Sequence, residues 1–158
     1  MSVKSREGAD YLHYMIAGIL DKIEEMTAFL NPTANSYKRF GSYKAPRYIS
    51  WSSENRSQLI RVPAAYGEYE RAELRSPDPS TNPYIAFALL IYAGLYGIKS
   101  RLELPVAADY NLYKADPDTL SRFRQLPQSL KVACRLAAGS DFIKECIPAA
   151  IIDSYCIR

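Results

Sequence analysis

An apolar repeat near the amino terminus, ended by an Asn-Pro pair, constrains the fold of this chain more than any other feature. Apolar side chains recur every three or four positions, the spacing of one face of an α-helix, and charged residues fill the other face. Pro32 lacks a backbone donor and restricts the residue before it, so the helix cannot continue. The pattern predicts an amphipathic helix over about residues 10–29, with an apolar face of Leu12, Met15, Ile16, Ile19, Leu20, Ile23 and Met26.

Three short segments after this helix are rich in β-branched and aromatic residues, which is typical of strands. They cover residues 47–51, 58–62 and 71–75. A second helix begins at Asn82-Pro83 and runs to about residue 102, and its apolar residues surround it almost completely, which predicts a fully buried helix. Further short helices are expected after Asp116 and over residues 128–158. The order predicts an α+β fold of short antiparallel strands backed by helices.

Composition excludes several classes of protein. The 158 residues suit one domain or a piece of one, and 48% hydrophobic residues argue against disorder. A net charge of +3 is too small to indicate nucleic-acid binding. The polar amino terminus has no signal-peptide core, and the apolar run 84–98 is shorter than the ~20 residues of a membrane span. We therefore expect no membrane and no nucleic acid among the partners.

The cysteines and histidine point to a reducing compartment. Cys134, Cys146 and Cys156 are odd in number and have no CxxC spacing, so neither disulfides nor a zinc site are expected. His13 is the single histidine, which leaves no multi-histidine metal site. These features predict a cytoplasmic protein.

The third strand segment carries an unusual set of charges. Alternate strand residues share a face, so Arg71, Glu73 and Arg75 should lie together, with Arg61 and Arg56 near them. One interpretation is a solvated face with ion pairs of little net value. The other is an anion site, because guanidinium groups bind carboxylate and phosphate in a bidentate fork. The pattern alone leaves both interpretations open.

A series of motifs decides between them. In order and spacing they resemble the catalytic domain of the glutamine synthetase family, most clearly over residues 14–113. The motifs are NPTANSYKR at 31–39, AP at 45–46, WS at 51–52, NRS at 55–57, IRVP at 60–63, RAELR at 71–75, DP at 78–79, NPY at 82–84 and AGLYGI at 93–98. The resemblance implies that residues 1–158 are the carboxyl-terminal portion of that domain, without the upstream half and the final helical segment.

The resemblance also implies a reaction and a role for each charged residue. The family joins ammonia to glutamate through γ-glutamyl phosphate, using ATP, in glutamine biosynthesis and nitrogen metabolism. Arg39 and Arg75 match glutamate-binding arginines, and Arg56 matches the arginine that faces the transferred phosphate. Arg61 and Arg71 match nucleotide-phosphate contacts. The catalytic set is therefore Arg39, Arg56 and Arg75, and the cofactor-binding set is Arg56, Arg61 and Arg71.

The metal site implied by the resemblance is only partly represented. Glu73 matches one family ligand of Mg²⁺ or Mn²⁺, and the other ligands lie upstream of this chain. One carboxylate is too few for useful affinity. His13 does not match the family's metal-binding histidine and is expected to be structural or on the surface. The implied partners are glutamate, ammonia, and the upstream half of the domain or neighbouring subunits of an oligomer, and the isolated chain is expected to be inactive.

One position departs from the family in charge. Lys44 occupies the place of a flap glutamate that shields the intermediate and helps to deprotonate ammonium. A lysine reverses the charge, so it either favours another amine acceptor or is simply an exposed loop residue. Tyr113 matches a tyrosine that some bacterial relatives adenylylate, but its surroundings differ, and we expect a packing role.

Three hypotheses follow from the resemblance: part of a glutamate–ammonia ligase, a non-catalytic scaffold or regulatory relative, or a γ-glutamyl-amine ligase with a different acceptor. Without the upstream half, strand edges and apolar faces should be exposed. The isolated chain is therefore expected to self-associate or to need a partner.

Overall fold

A computed structural model describes residues 2–3, 11–42, 44–63 and 70–157. Within them the α+β class predicted from the sequence is confirmed. The strands are β1 (Ser2–Val3), β2 (Trp51–Ser52), β3 (Ile60–Arg61), β4 (Glu70–Arg71) and β5 (Glu73–Leu74). The helices are α1 (Tyr11–Leu30), α2 (Ala34–Tyr37), α3 (Pro83–Ser100), α4 (Pro117–Leu120), α5 (Leu130–Gly139), α6 (Asp141–Cys146) and α7 (Ala149–Cys156).

Helix α1 is the centre of the core. Its predicted extent is confirmed, except that the expected start at Asp10 lies outside the described residues. Ile16, Ile23 and Phe29 are fully buried, and α1 contacts α3, α5, α6 and α7. The apolar face found in the sequence is therefore the surface on which the other helices assemble.

Helices α1 and α3 approach each other at two glycines. An added Cβ on Gly97 would overlap the Tyr14 carbonyl oxygen, and one on Gly18 would overlap the Ala93 carbonyl oxygen. Only a residue without a side chain permits such close backbone contact. The pair fixes how α3 lies on α1.

The prediction that α3 is fully buried is wrong. Only the side of α3 facing α1 is buried, and the opposite side exposes an apolar row in which Tyr84 is 86% and Phe87 64% accessible. Ile91, Tyr92 and Leu95 continue this row. Composition showed that α3 is apolar all round, but the number of faces that the chain covers depends on the tertiary structure.

Length and hydropathy also make α3 a candidate membrane span. These criteria discriminate weakly, because the core helices of soluble proteins meet them too. The helix begins with an N-cap in which the Asn82 side chain accepts from the Tyr84 amide at 3.0 Å, and it ends at Arg101 in the left-handed region, with φ of 46°.

The strands are shorter than predicted and form small mixed sheets. β3 pairs with β5 in antiparallel fashion, as expected, and β1 pairs with β4. β2 and β3, however, are parallel. The chain between them does not form a hairpin, since the Ser52 hydroxyl accepts from the amides of Glu54 (3.1 Å) and Asn55 (3.0 Å) and starts a turning segment. This connection lets β3 run in the same direction as β2.

The last helices form a layer against α1. The Ser129 and Ser140 side chains cap α5 and α6, and the Ser140 hydroxyl also bonds the Glu25 carboxylate of α1. Of the cysteines expected to be small buried hydrophobes, Cys134 is buried and Cys146 and Cys156 are partly exposed.

The glycine contact between α1 and α3 gives a stability prediction. Gly97→Ala should lower the free energy of unfolding by about 3 kcal/mol, because two helix backbones must separate. Gly139→Ala is the matched control, since a Cβ there meets nothing within 4 Å. Urea unfolding should leave the control unchanged or more stable by up to about 0.5 kcal/mol. Equal effects of the two substitutions would contradict the packing argument.

Candidate anion-binding site

Glu73 lies between two arginines on the β3–β5 pair. Arg61 and Glu73 are directly opposite in the ladder. Arg61 Nη2 and Nε donate to Glu73 Oε2 at 2.7 and 3.2 Å, and Arg75 Nε lies 3.3 Å from Glu73 Oε1. The predicted association of Arg61, Glu73 and Arg75 is thus present, and we call these three residues the Glu73 cluster.

The two guanidinium groups stabilise the charged form of Glu73. The hydrogen bond from Arg61 is the largest cause that lowers the pKa of this carboxyl below its ordinary value of 4.5, and Arg75 adds to it, although burial acts in the opposite direction. Both carboxylate oxygens are occupied by N–H donors. Glu73 therefore fixes Arg61 and Arg75 relative to each other.

Arg75 joins the cluster to the loop that carries Lys44. Its side chain is only 9% exposed, and Nη2 donates to the Lys44 carbonyl oxygen at 3.3 Å. Nη1 is buried and has no hydrogen-bond partner among the described residues. Lys44 itself is exposed and has φ of 63°, a left-handed conformation that is uncommon for a residue with a side chain. Its carbonyl group thus contacts Arg75, while the residue as a whole is exposed.

Arg39 is held by a separate set of acceptors just after α2. Its Nη2 donates to the Ser76 carbonyl at 2.9 Å and to Asn31 Oδ1 at 3.3 Å, and its Nε lies 3.4 Å from Asp78 Oδ2. The Arg39 side chain is 30% exposed and that of Asp78 14%. These contacts orient one edge of the guanidinium group and leave the rest accessible.

Asp78 lies opposite Arg39 in surroundings that favour its charged form. Burial is the largest single effect and would raise its pKa, but hydrogen bonds from Ser80 and Ser36 together with the charge of Arg39 outweigh it, so the pKa is lowered. The Asp78 amide also donates to the Leu30 carbonyl at 2.9 Å, which ties the segment to the end of α1. The Asp78-Pro79 motif is visible in the sequence, but no spacing rule predicts the contact of Asp78 with Arg39.

The other two arginines predicted to bind anions, Arg56 and Arg71, are exposed to solvent. Arg71 is exposed on β4, and Arg56 is exposed in the turn before β3. Neither side chain makes an ion pair or hydrogen bond within the part of the chain that the structure describes. Among the described residues these two cations therefore differ from Arg39, Arg61 and Arg75, which carboxylates orient.

The donor set does not fit a divalent metal ion by itself. No group of three His, Cys, Asp or Glu side chains occurs among the described residues. Glu73 is one carboxylate, and both of its oxygens face guanidinium groups. Mg²⁺ and Mn²⁺ require several oxygen ligands, so the described residues by themselves do not complete such a site.

Two other side chains named from the sequence lie outside this constellation. The ring of His13 packs against that of Trp51 with centroids 5.7 Å apart, which is a structural contact. Tyr113 is 43% exposed, so it is not purely a packing residue. Burial raises the pKa of its phenol, and the nearby Arg75 partly opposes this.

A comparison with known sequences identifies the family. The sequence model described as "Glutamine synthetase, catalytic domain" matches residues 2–157. The chain belongs to this family. Glutamine synthetases of Methanosarcina mazei and Thermotoga maritima are 46% and 42% identical over 90% and 91% of the chain. The family resemblance drawn from the motifs is thereby confirmed.

Solved structures agree with the sequence comparison. A chain of the structure named "GmaS/ADP complex-Conformation 1" superimposes with a TM-score of 0.83 and 27% identity over 97% of this chain. This chain spans about a third of its relatives, 32% of the M. mazei protein and 36% of the GmaS chain. It therefore represents one part of a glutamine synthetase catalytic domain.

The Glu73 cluster predicts how stability depends on pH. Because the folded-state pKa of Glu73 is lowered, its contribution is full above the ordinary value of 4.5 and is lost as the pH falls through the lower folded value. Glu73→Gln should lower the free energy of unfolding at pH 7 by about 1–2 kcal/mol, because the guanidinium group of Arg75 is left buried without a counter-charge.

Urea unfolding between pH 7 and pH 3 measures this effect. Between pH 7 and pH 3 the free energy of unfolding should fall less in Glu73→Gln than in the wild type. The fall that remains in Glu73→Gln is due to other carboxyl groups with a lowered pKa, such as Asp78. Glu24→Gln is the control, since it removes a surface ion pair in which Arg124 is 56% exposed, and should change stability by less than about 0.5 kcal/mol. An identical pH profile for wild type and Glu73→Gln would contradict the assignment.

Proposed function

We propose that this chain supplies the glutamate- and phosphate-binding side of an ATP-dependent glutamate–ammonia ligase. The observation that carries the proposal is that carboxylates orient Arg61 and Arg75 in the Glu73 cluster and Arg39 beside Ser76, while Arg56 and Arg71 are exposed. Glutamate, ATP and the γ-glutamyl phosphate intermediate are all anions. Oriented guanidinium groups bind such anions without further ordering.

Each arginine has a role that its position supports. Arg39 and Arg75 would bind the substrate glutamate, since both are anchored on one side and have unused N–H donors. Arg56 would stabilise the charge that develops on the transferred phosphoryl group. Arg61 and Arg71 would bind the nucleotide phosphates, and the similarity of this chain to GmaS, whose structure is described as an ADP complex, supports that expectation.

The fixed geometry is the contribution of Glu73 and Asp78. A flexible arginine must lose rotamer freedom when it binds a ligand, whereas an arginine already held by a carboxylate has lost that freedom on folding. A carboxylate already holds each of the side chains of Arg61, Arg75 and Arg39. We therefore expect the chain to bind and orient substrate, while the other ligands of a Mg²⁺ or Mn²⁺ ion must come from elsewhere.

The partner that we propose is the upstream part of the catalytic domain present in full-length relatives. About two thirds of each relative lies outside the matched region. The apolar row on α3 and an adjacent groove of about 330 Å³, whose lining includes Leu12, Ile60, Leu74 and Phe87, form a surface that such a part would cover. The site and this surface would then be completed by the same partner.

Complementation tests the catalytic proposal. The chain would be mixed or co-expressed with the upstream part of the M. mazei glutamine synthetase, and phosphate release would be measured with ATP, Mg²⁺, glutamate and ammonium, each omitted in turn. We expect no release from the chain alone and substrate-dependent release from the mixture. Arg39→Gln and Arg75→Gln should reduce the mixture's rate at least about 100-fold, since each removes a charged contact to substrate.

Arg135→Gln is the matched control, because Arg135 is exposed on α5, outside the arginine-rich site. Substrate-dependent phosphate release by the chain alone would refute the proposal that it supplies only one side of the active site. A mixture that forms a complex but never turns over would favour the non-catalytic scaffold or regulatory alternative. Protection of the chain from thermal unfolding by glutamate and ATP would count against that alternative.

The position of Lys44 favours one further candidate, a γ-glutamyl-amine ligase with a different acceptor. Its backbone carbonyl contacts Arg75 and the residue is exposed, so its positive charge would lie near the proposed site and repel ammonium. Replacing ammonium by primary amines in the complemented assay distinguishes the two. Faster release with an amine than with ammonium, reversed by Lys44→Glu, would establish the second candidate.

The exposed face of α3 predicts self-association when the upstream part is missing. Phe87→Glu should shift the isolated chain toward monomer, because it places a charge in the apolar row. Val106→Glu is the control, since Val106 is 94% exposed but lies outside α3. Light scattering after size-exclusion chromatography measures the mass. A wild-type chain that is monomeric and melts cooperatively would contradict the prediction.

A further inference from the structure

A second positive site lies behind the loop that carries Lys44. A cavity of about 200 Å³ lies between this loop and the chain that leads into α4. Its lining residues are Gly41, Arg47, Tyr48, Ser57, Leu112, Tyr113 and Leu120. Among these described residues Arg47 alone is charged, so their contribution to the cavity is a net positive charge.

Arg47 differs from the other half-buried arginines in its lack of a counter-charge. Arg39, Arg61 and Arg75 each lie within 3.4 Å of a carboxylate oxygen. Arg47 makes no ion pair with any described residue; its Nη2 donates to the Phe40 carbonyl at 3.1 Å, and its Nε is buried without an acceptor. A half-buried guanidinium group in this condition has lost part of its hydration without gaining a counter-charge, and an anion from solution would compensate both.

The walls of the cavity keep space next to Arg47. Gly41 has φ of +85°, and a Cβ on it would lie 3.3 Å from Arg47 Nε, so a side chain there would crowd the guanidinium group. Ser57 fixes the opposite wall, because its hydroxyl accepts from the Leu112 amide at 2.8 Å. Tyr113, a residue that is 43% exposed, belongs to the same lining and carries a neutral hydrogen-bond donor.

We propose that this cavity, the Arg47 pocket, binds the phosphate or carboxylate group of a small molecule as a site separate from the Glu73 cluster. Its volume is below the range of about 300–1,000 Å³ that is usual for drug-sized ligands, which favours an inorganic anion or a small acid over a nucleotide. Guanidinium recognises both kinds of oxyanion with the same paired N–H geometry. The binding itself does not depend on the proposed ligase activity.

The pocket is connected to the Glu73 cluster through one loop. Arg47 in the pocket donates to the Phe40 carbonyl, and Arg75 in the Glu73 cluster donates to the Lys44 carbonyl. The two arginines therefore contact the same short segment, one from each site. An anion that draws the Arg47 guanidinium group away from Phe40 would release one of these restraints. Occupancy of the pocket would then alter the loop that positions Arg75.

Heteronuclear NMR titration of the full chain tests the pocket. Inorganic phosphate and acetate are titrated separately at constant ionic strength, with sodium chloride as the reference. We expect saturable shifts of the Gly41, Leu112 and Tyr113 amides, with the tighter of the two anions identifying the ligand class. Arg47→Gln should weaken this binding at least about tenfold, since it removes the charge.

Two further variants separate the pocket from other effects. Arg71→Gln changes an exposed cation near the Glu73 cluster and should leave the shifts at Gly41, Leu112 and Tyr113 unchanged. Leu120→Trp should fill the cavity and weaken binding with Arg47 intact, which decides the matter if Arg47→Gln does not fold. The proposal is overturned if neither anion shifts these amides, if chloride shifts them equally, or if binding survives in whichever of Arg47→Gln and Leu120→Trp folds.

Discussion

The close contact of α1 and α3 at Gly18 and Gly97 is the constraint on which the rest of the structure depends. Because the two backbones nearly touch, α3 has one orientation on α1, and residues at its amino-terminal end lie next to the end of α1. The Thr81 hydroxyl donates to the Phe29 carbonyl at 2.7 Å, and the Asp78 backbone amide donates to the Leu30 carbonyl at 2.9 Å. The helix packing therefore determines where Asp78 lies and, through it, where Arg39 is held.

The site follows from pairing carboxylates with arginines before any ligand arrives. Glu73 orients Arg61 and Arg75, and Asp78 orients Arg39. Such pairs contribute little to stability where solvent screens them, but they reduce the conformational freedom that ligand binding would otherwise remove. The two interpretations left open by the sequence, a face of ion pairs and an anion site, therefore describe the same residues. The ion pairs are the means by which the proposed anion site is ordered.

The sequence predicted some parts of this arrangement and not others. Strand alternation correctly brought Glu73 and Arg75 together with Arg61, since the period of a strand is local. It did not predict that Asp78, nearly forty positions from Arg39 along the chain, would face that arginine, because this contact is made by the packing of α3. The parallel pairing of β2 and β3 was missed for a similar reason, since turn contacts of Ser52 set the direction of the connection.

Motif order, helical periodicity and proline positions are properties of the linear chain, and they were enough to predict the family and the positions of the main helices. Two other properties became visible only in the folded chain: which apolar surface is exposed, and which arginines have no carboxylate beside them among the described residues. α3 is apolar on every side, yet α1 covers only one of them, and Arg47 looks in sequence like any other loop arginine. Both properties depend on what lies opposite a side chain in space, and the linear sequence does not specify that neighbour.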